Sequence, residues 1–93
     1  MDKRQLVAAG ARRSRLTQRQ TRQALEALLE AIGEALAAGE TVAISSFGRF
    51  EVRAYPGRKL RRFDGPGHYL VESRRVPVFR SSAVLRRRLR GKS

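Results

Sequence analysis

The sequence predicts an α+β fold: two N-terminal helices, a three-stranded antiparallel sheet with a protruding β-arm, and a short C-terminal helix. Three observations predict it. Apolar residues recur at helical period as far as residue 38, then switch to alternation from residue 41. Residues 55–68 (YPGRKLRRFDGPGH) hold no apolar pattern able to fill a core, yet they carry Gly57, Asp64-Gly65 and Pro66-Gly67, which are turn formers. After residue 80, two serines precede a last short stretch with Val84, Leu85 and Leu89 at helical spacing.

The first helix begins after Asp2, which pairs with Gln5 at capping-box spacing. Leu6 and Val7 are its apolar anchors, and Gly10 weakens it. Ser14 to Leu16 forms a short link. Thr17 and Gln20 repeat the capping-box spacing, and Leu25, Leu28, Leu29, Ile32 and Leu36 follow as one stripe, with Ala24 and Ala35 filling gaps. The second helix is therefore expected from Gln18 to Ala38, stopped by Gly39 in a left-handed conformation.

Thr41 to Ser45 reads as the first strand, with Val42 and Ile44 on one face. Ser46-Phe47-Gly48 is a turn signal. Phe50, Val52 and Ala54 then alternate with Arg49, Glu51 and Arg53, and Tyr69 to Val78 reads as a returning strand. Residues 55–68 lie between them, so the simplest structure is a long hairpin whose end leaves the body, an arm of about residues 53–75. Ser81 or Ser82 caps the last helix, which turns Val84, Leu85 and Leu89 inward and Arg86, Arg87, Arg88 and Arg90 mostly outward. The last few residues are expected to be disordered. One domain, residues 1–93, accounts for the whole chain.

Charge points to the ligand. Lys plus Arg is 21 against 8 acids, for a net charge of +13, and a chain this basic usually meets a polyanion. Only Lys3, Lys59 and Lys92 are lysines; arginine makes bidentate phosphate contacts and stacks better than lysine. Residues 1–40 carry seven bases against five acids, whereas residues 41–93 carry 14 against three. The N-terminal part reads as scaffold and the C-terminal part as the ligand surface. The arm alone holds Arg53, Arg58, Lys59, Arg61, Arg62, Arg74 and Arg75 against Asp64 and Glu72. A hairpin without a hydrophobic face is at best marginally stable in water, so the arm is either a solvated loop or a ribbon ordered by a polyanion. A two-stranded ribbon suits a DNA groove in width.

Several classes are disfavoured. Cysteine is absent, which removes disulfides and thiolate metal sites and permits a reducing compartment. No apolar run reaches membrane-spanning length, and the N-terminus lacks a secretory leader's apolar stretch. His68 has no cluster around it and reads as a polar turn residue. Glu51, Asp64 and Glu72 are scattered, whereas two-metal nuclease chemistry needs clustered carboxylates. Nothing implies an enzyme, a cofactor or a small-molecule substrate. A helix-turn-helix reader built from residues 2–38 would carry Glu26, Glu30 and Glu34 on its recognition helix, where they repel phosphate. An RNA-binding or ribosome-associated protein is the remaining rival, because it would use the same arginines; such proteins usually display aromatic platforms.

The run Phe47-Gly48-Arg49-Phe50-Glu51-Val52 resembles the "GFGxFxV" signature of the HU and IHF family of bacterial histone-like, DNA-bending proteins. Val76-Pro77-Val78-Phe79 is similar to that family's "VPxF" segment, at the matching separation, and Leu85 matches the final helix's leucine. The resemblance covers essentially all 93 residues. It implies an intertwined dimer, a homodimer or a pair with a paralogue. Residues 1–40 would form a helical dimerisation base, 41–80 the sheet with its arm, and 81–93 the last helix and tail. It further implies that Leu29, Ile32, Leu36, Ile44, Phe47, Phe50 and Phe79 belong to the dimer core. The phenylalanines are then structural, not base-stacking. Two arms would wrap double-stranded DNA through the minor groove, in the cytoplasm and on the nucleoid.

The arm tip departs from the family. Where the resemblance expects Arg-Asn-Pro, with proline as the wedge between base pairs, this chain has Arg61-Arg62-Phe63. Phe63 can unstack a base step in proline's place; Pro66 is the alternative if the tip is shifted by a residue, and packing of Phe63 beside Leu60 or Tyr69 is a third possibility. Ser46 replaces the first glycine of "GFG", and Ala83 stands where the family has a basic residue. The resulting expectation has three layers. Arg53, Arg58, Lys59, Arg61, Arg62 and Arg74 neutralise phosphates or enter the minor groove. Lys3, Ser46, Arg80 and Arg86 hold phosphates at the flanks. Phe63 stabilises a kink. Minor-groove readout distinguishes little beyond A·T from G·C, so low sequence specificity is expected.

Overall fold

In the computed structural model, which describes residues 1–91, the order is α1 (Lys3–Ser14), α2 (Gln18–Ala37), β1 (Val42–Ile44), β2 (Gly48–Tyr55), β3 (Arg58–Arg61), β4 (His68–Val71), β5 (Arg74–Ser81) and α3 (Ala83–Arg90). The expected disorder of the tail falls partly on Lys92 and Ser93, outside the described residues. By backbone contacts the chain forms two units, Met1–Ala35 and the part from Leu36 onward.

In the first unit both capping boxes are present. The Asp2 carboxylate accepts from the Gln5 amide at 2.9 Å, while the Gln5 side chain accepts from the Asp2 amide at 2.8 Å. Thr17 and Gln20 make the same reciprocal pair, each bond 3.0 Å. Helix α1 closes with Arg15 in the left-handed region, φ 64°, and the Arg15 amide donates to the Ala11 carbonyl at 3.0 Å. The buried stripe is Val7 and Ala11, one helical turn apart. Leu6, expected as an anchor, is exposed, because it sits about 100° round the helix from Val7. Gly10 marks a close approach: a methyl group there would lie 3.2 Å from Thr21 Cγ2 on α2. The residue that lowers helix propensity is thus used in packing. Along α2, Leu25, Ile32 and Leu36 are half-buried while Leu28 and Leu29 stay exposed. Gly39, at φ 83°, ends the helix as expected, its amide reaching the Leu36 carbonyl at 2.9 Å.

The second unit contains a three-stranded antiparallel sheet in the order β1-β2-β5 and a separate ribbon, β3-β4. The run expected as one returning strand is divided. Tyr55 still pairs with Arg74, but the ladder stops there and resumes at Arg58 and Val71. Pro56 has no amide to donate. Gly57 runs so close to the opposing backbone that a Cβ would lie 2.9 Å from the Val71 carbonyl oxygen and 3.1 Å from the Ser73 nitrogen. The break therefore sits at the root of the arm.

Pairing register sorts the sheet into two faces. Phe50, Val52 and Ala54 oppose Phe79, Pro77 and Arg75, while Arg49, Glu51, Arg53 and Tyr55 oppose Arg80, Val78, Val76 and Arg74. Phe79 lies between Phe50 and Phe47, with ring centroids 5.0 and 5.4 Å away. Phe47 and Phe79 nonetheless remain 45% and 42% exposed. Ser82 caps α3 by accepting from the Leu85 amide at 3.1 Å, and its own amide donates to the Phe47 carbonyl at 2.9 Å. Of the three α3 residues expected inward, Leu85 is half-buried; Val84 and Leu89 are exposed. A helix of eight residues offers one packed turn against its own chain, and no more.

Candidate nucleic-acid interface

The ribbon beyond the break is built from Arg58–Arg61 and His68–Val71. Its register places Arg58 opposite Val71, Lys59 opposite Leu70, Leu60 opposite Tyr69 and Arg61 opposite His68. Strand alternation then gives one face of Lys59, Arg61, His68 and Leu70, and another of Arg58, Leu60, Tyr69 and Val71. Only Leu60 and Val71 are half-buried; the other six are exposed. His68, expected in a turn, is a strand residue paired with Arg61, because the turn is shorter than the glycine and proline content suggests. The tip is closed by the Arg62 amide, which donates to the Gly67 carbonyl at 3.0 Å, with Gly67 at φ 102°.

Phe63 stands on this tip at 105% relative exposure. It packs on neither Leu60 nor Tyr69. Pro66 shares the same exposed turn, so both wedge candidates lie at the end of the arm. At the root, the Arg74 guanidinium sits 4.7 Å from the centroid of the Tyr55 ring, a cation–π contact that stiffens the point where the ribbon leaves the sheet. Tyr55 was not singled out from the sequence, although its place beside the proline marks it as the last residue of the ladder.

A second basic cluster lies at the far end of β5. Arg49 and Arg80 are directly paired across the ladder, a like-charge juxtaposition that costs stability. Glu51 relieves it. Its Oε1 accepts from Arg49 Nε at 2.7 Å and lies 2.9 Å from Arg80 Nε. The hydrogen bond from Arg49, together with the charges of Arg49, Arg80 and Arg53, holds the Glu51 carboxyl below its ordinary value of 4.5. Arg49, Arg80, Ser81, Ser82, Ala83, Arg86 and Phe79 line a concavity of about 540 Å³. Arg86 Nη1 donates to the carbonyl and hydroxyl oxygens of Ser81. A neighbouring cleft of about 260 Å³ adds Ser46, itself held at φ 65°. The expected flank residues Ser46, Arg80 and Arg86 therefore share one region, where sequence reasoning overlooked Arg49. Its position opposite Arg80 was the available signal. Lys3 belongs to the other unit, where its Nζ pairs with Glu26 Oε1 at 3.4 Å.

Arg75 has a different task from the rest of the arm's cations. Its Nη2 donates to the carbonyl oxygens of Leu36 and Ala37, at 3.1 and 3.0 Å. Both belong to the last turn of α2, whose carbonyls lack helical partners, the Leu36 oxygen also accepting from the Gly39 amide, and a cation there suits the helix dipole. Among the described residues, no group of three or more His, Cys, Asp or Glu is placed to hold a metal ion. No helix among them is long and apolar enough to cross a membrane.

Comparison with known proteins gives a consistent result. A family model described as bacterial DNA-binding protein matches residues 1–90. The chain is 40% identical to an integration host factor subunit alpha from Xanthobacter autotrophicus over 77 residues, covering 82% of this chain and 72% of the relative. It is 34% identical to a DNA-binding protein HU from Staphylococcus aureus over 86 residues, covering 92% and 96%. A cocrystal structure of Anabaena HU with DNA superposes with a TM-score of 0.82 at 32% identity, covering 96% of this chain and 97% of that one.

Proposed function

Because the chain belongs to the bacterial DNA-binding protein family of HU and the integration host factor subunits, we propose that it is an architectural protein that wraps and bends double-stranded DNA with its arms. The observation that carries this reading is the arm itself: a ribbon with little buried surface, rich in arginine, with a fully exposed aromatic ring at its tip. Such a segment has no folding role in its own chain. Arg53, Arg58, Lys59, Arg61, Arg62 and Arg74 meet phosphates or the minor-groove floor, and Phe63 enters a base step. Arg80 and Arg86, with the backbone at Ser46, hold phosphates beside the sheet, and Lys3 does so from the helical base by exchanging Glu26 for phosphate.

The protein works as a dimer, with residues 1–93 acting as one DNA-binding domain. Leu28 and Leu29 on α2, and Ile44, Phe47 and Phe79 in the sheet unit, are all exposed in the single chain. Apolar residues in such number need a cover. A second copy supplies it, the cluster of Leu29, Ile32, Leu36, Ile44, Phe47, Phe50 and Phe79 being the shared core; pairing with a paralogue would use the same surface. The site of action is the cytoplasmic nucleoid, and no catalysis is involved. The matched family and one of the relatives are named for DNA binding, and the other relative is an integration host factor subunit, so the RNA-binding alternative gains no support.

Bending a duplex by 40–90° costs on the order of 1–6 kcal/mol, which the wrapped contacts must exceed. If six to ten phosphates are neutralised, affinity falls about 10³–10⁵-fold between 50 and 200 mM salt. A salt titration of duplex binding, run beside structured RNA as competitor, tests the reading: a steep slope and preference for duplex support it, and a flat response contradicts it. In the same assay with an energy-transfer duplex, Phe63→Ala should lower the bend angle more than the affinity. If neither changes, Phe63 is not the wedge.

A further inference from the structure

Tyr55 and Arg74 form the last rung of the β2-β5 ladder, and Pro56-Gly57 and Glu72-Ser73 lie outside both ladders before the ribbon resumes at Arg58 and Val71. Two hollows adjoin this gap, of about 410 and 320 Å³, and Tyr55, Pro56 and Arg74 line both of them. Tyr55 is itself 37% exposed. A ring so placed, with space on two sides, adds little to a core. What it does hold is a cation: Arg74 Cζ lies 4.7 Å from its centroid. The ion pairs among the described residues do not include Arg74. Glu51 is committed to Arg49 and Arg80, and Glu72, two residues from Arg74, takes part in none of them.

An aromatic face and a carboxylate hold a guanidinium differently. A carboxylate accepts from the N–H donors and cancels the charge. A ring attracts the cation through its quadrupole, keeps the net charge in place and leaves most of the five donors free. A long side chain also loses much rotamer freedom when it is fixed, and on a ring that loss is met before any ligand arrives. We infer that Tyr55 is a positioning residue for duplex binding: its ring presents the Arg74 guanidinium, already fixed and still charged, to the phosphate that passes the arm root. This role rests on the DNA-binding reading and deepens it, because it divides the cations of the root by task. Arg75 is tied to the end of α2, whereas Arg74 is held ready for the ligand by its cross-strand neighbour.

The test is duplex affinity across a salt series for Tyr55→Phe, Tyr55→Trp and Tyr55→Leu, each made in the full protein and again together with Arg74→Gln. An exposed cation–π contact corresponds to a change in affinity of about 2–5-fold per arm, or about 5–30-fold for the two arms of a dimer. Tyr55→Leu should weaken binding by that amount and flatten the slope of log affinity against log salt by up to about 0.9 per arm. Tyr55→Phe should bind as wild type does, and Tyr55→Trp more tightly, because indole is the stronger platform for a cation. In the presence of Arg74→Gln all three should match Arg74→Gln alone, since the ring then has nothing to hold. An equal loss from Tyr55→Leu with and without Arg74→Gln would overturn the role, as the tyrosine would then act by itself. Wild-type affinity in Tyr55→Leu would overturn it too, as would a loss in Tyr55→Phe as large as that in Tyr55→Leu. If Tyr55→Leu does not fold, Tyr55→Trp decides: tighter binding that vanishes with Arg74→Gln supports the role, and no change, or a change that persists, overturns it. Failure of wild type to bind any duplex would refute the DNA reading itself and this role with it, whereas the other outcomes bear on Tyr55 alone.

Discussion

Gly48 and Phe79 are in contact so close that no side chain fits between them: a methyl group on Gly48 would lie 2.6 Å from Phe79 Cζ and 2.7 Å from Cε1, with the Arg80 carbonyl oxygen at 2.5 Å. The glycine lets the Phe79 ring lie over the β2 backbone and reach both Phe47 and Phe50. Gly48→Ala must push that ring away or open the β2-β5 ladder. Overpacking of this kind costs about 1–3 kcal/mol, to be read as a lower denaturation midpoint, with dimer dissociation at higher protein concentration.

Two residues earlier the constraint is reversed. Ser46 sits at φ 65°, where a side chain costs roughly 1–2 kcal/mol relative to the right-handed region. Glycine relieves that strain but loses more entropy on folding, about 0.5–1 kcal/mol. Ser46→Gly should therefore stabilise the protein by about 0.5–1 kcal/mol in thermal or urea unfolding, with DNA affinity little altered if the backbone is what meets the phosphate.

Arg75 separates anchoring from DNA contact. Arg75→Ala removes two charge-assisted bonds to the end of α2 and should cost about 0.5–1.5 kcal/mol of stability. The slope of DNA affinity against salt should stay the same, because no phosphate contact is lost. Arg61→Ala gives the opposite pattern: unaltered melting and a slope shallower by about one unit for each chain's lost contact.

Glu51 sets an acid limit. Its pKa in the folded protein lies below 4.5, mainly through the Arg49 hydrogen bond. Its contribution is thus present in full above the unfolded-state value and disappears as pH falls through the lower folded one. Melting temperature recorded from neutral to acidic pH should show wild type above Glu51→Gln at neutral pH, with the two curves converging on the acid side. Parallel curves would place the acid sensitivity elsewhere.

Much of this was legible in the residues. Period and capping gave α2 to within one residue, because Thr17, Gln20 and Gly39 each act locally, and the turn formers and missing apolar pattern of residues 55–68 located the arm. What was not legible depended on partners distant in the chain. Nothing local distinguishes Arg75, which caps α2, from its neighbour Arg74, which stacks on Tyr55. The split at Glu72–Ser73 follows from Pro56 and Gly57 on the opposite strand. Leu6, Val84 and Leu89 share the apolar character of the core and yet remain exposed, because burial depends on what the fold brings against a side chain and not on its apolarity alone.

The most direct measurement joins Tyr55 to Arg74, already paired across the ladder, through a two-residue Asn-Gly turn, which suits such a hairpin. Duplex affinity and bend angle are then compared with the intact protein. The excised protein should still dimerise and melt as before, but lose duplex affinity by orders of magnitude and no longer bend DNA. Undiminished affinity and an unchanged bend angle in a folded, armless dimer would contradict it.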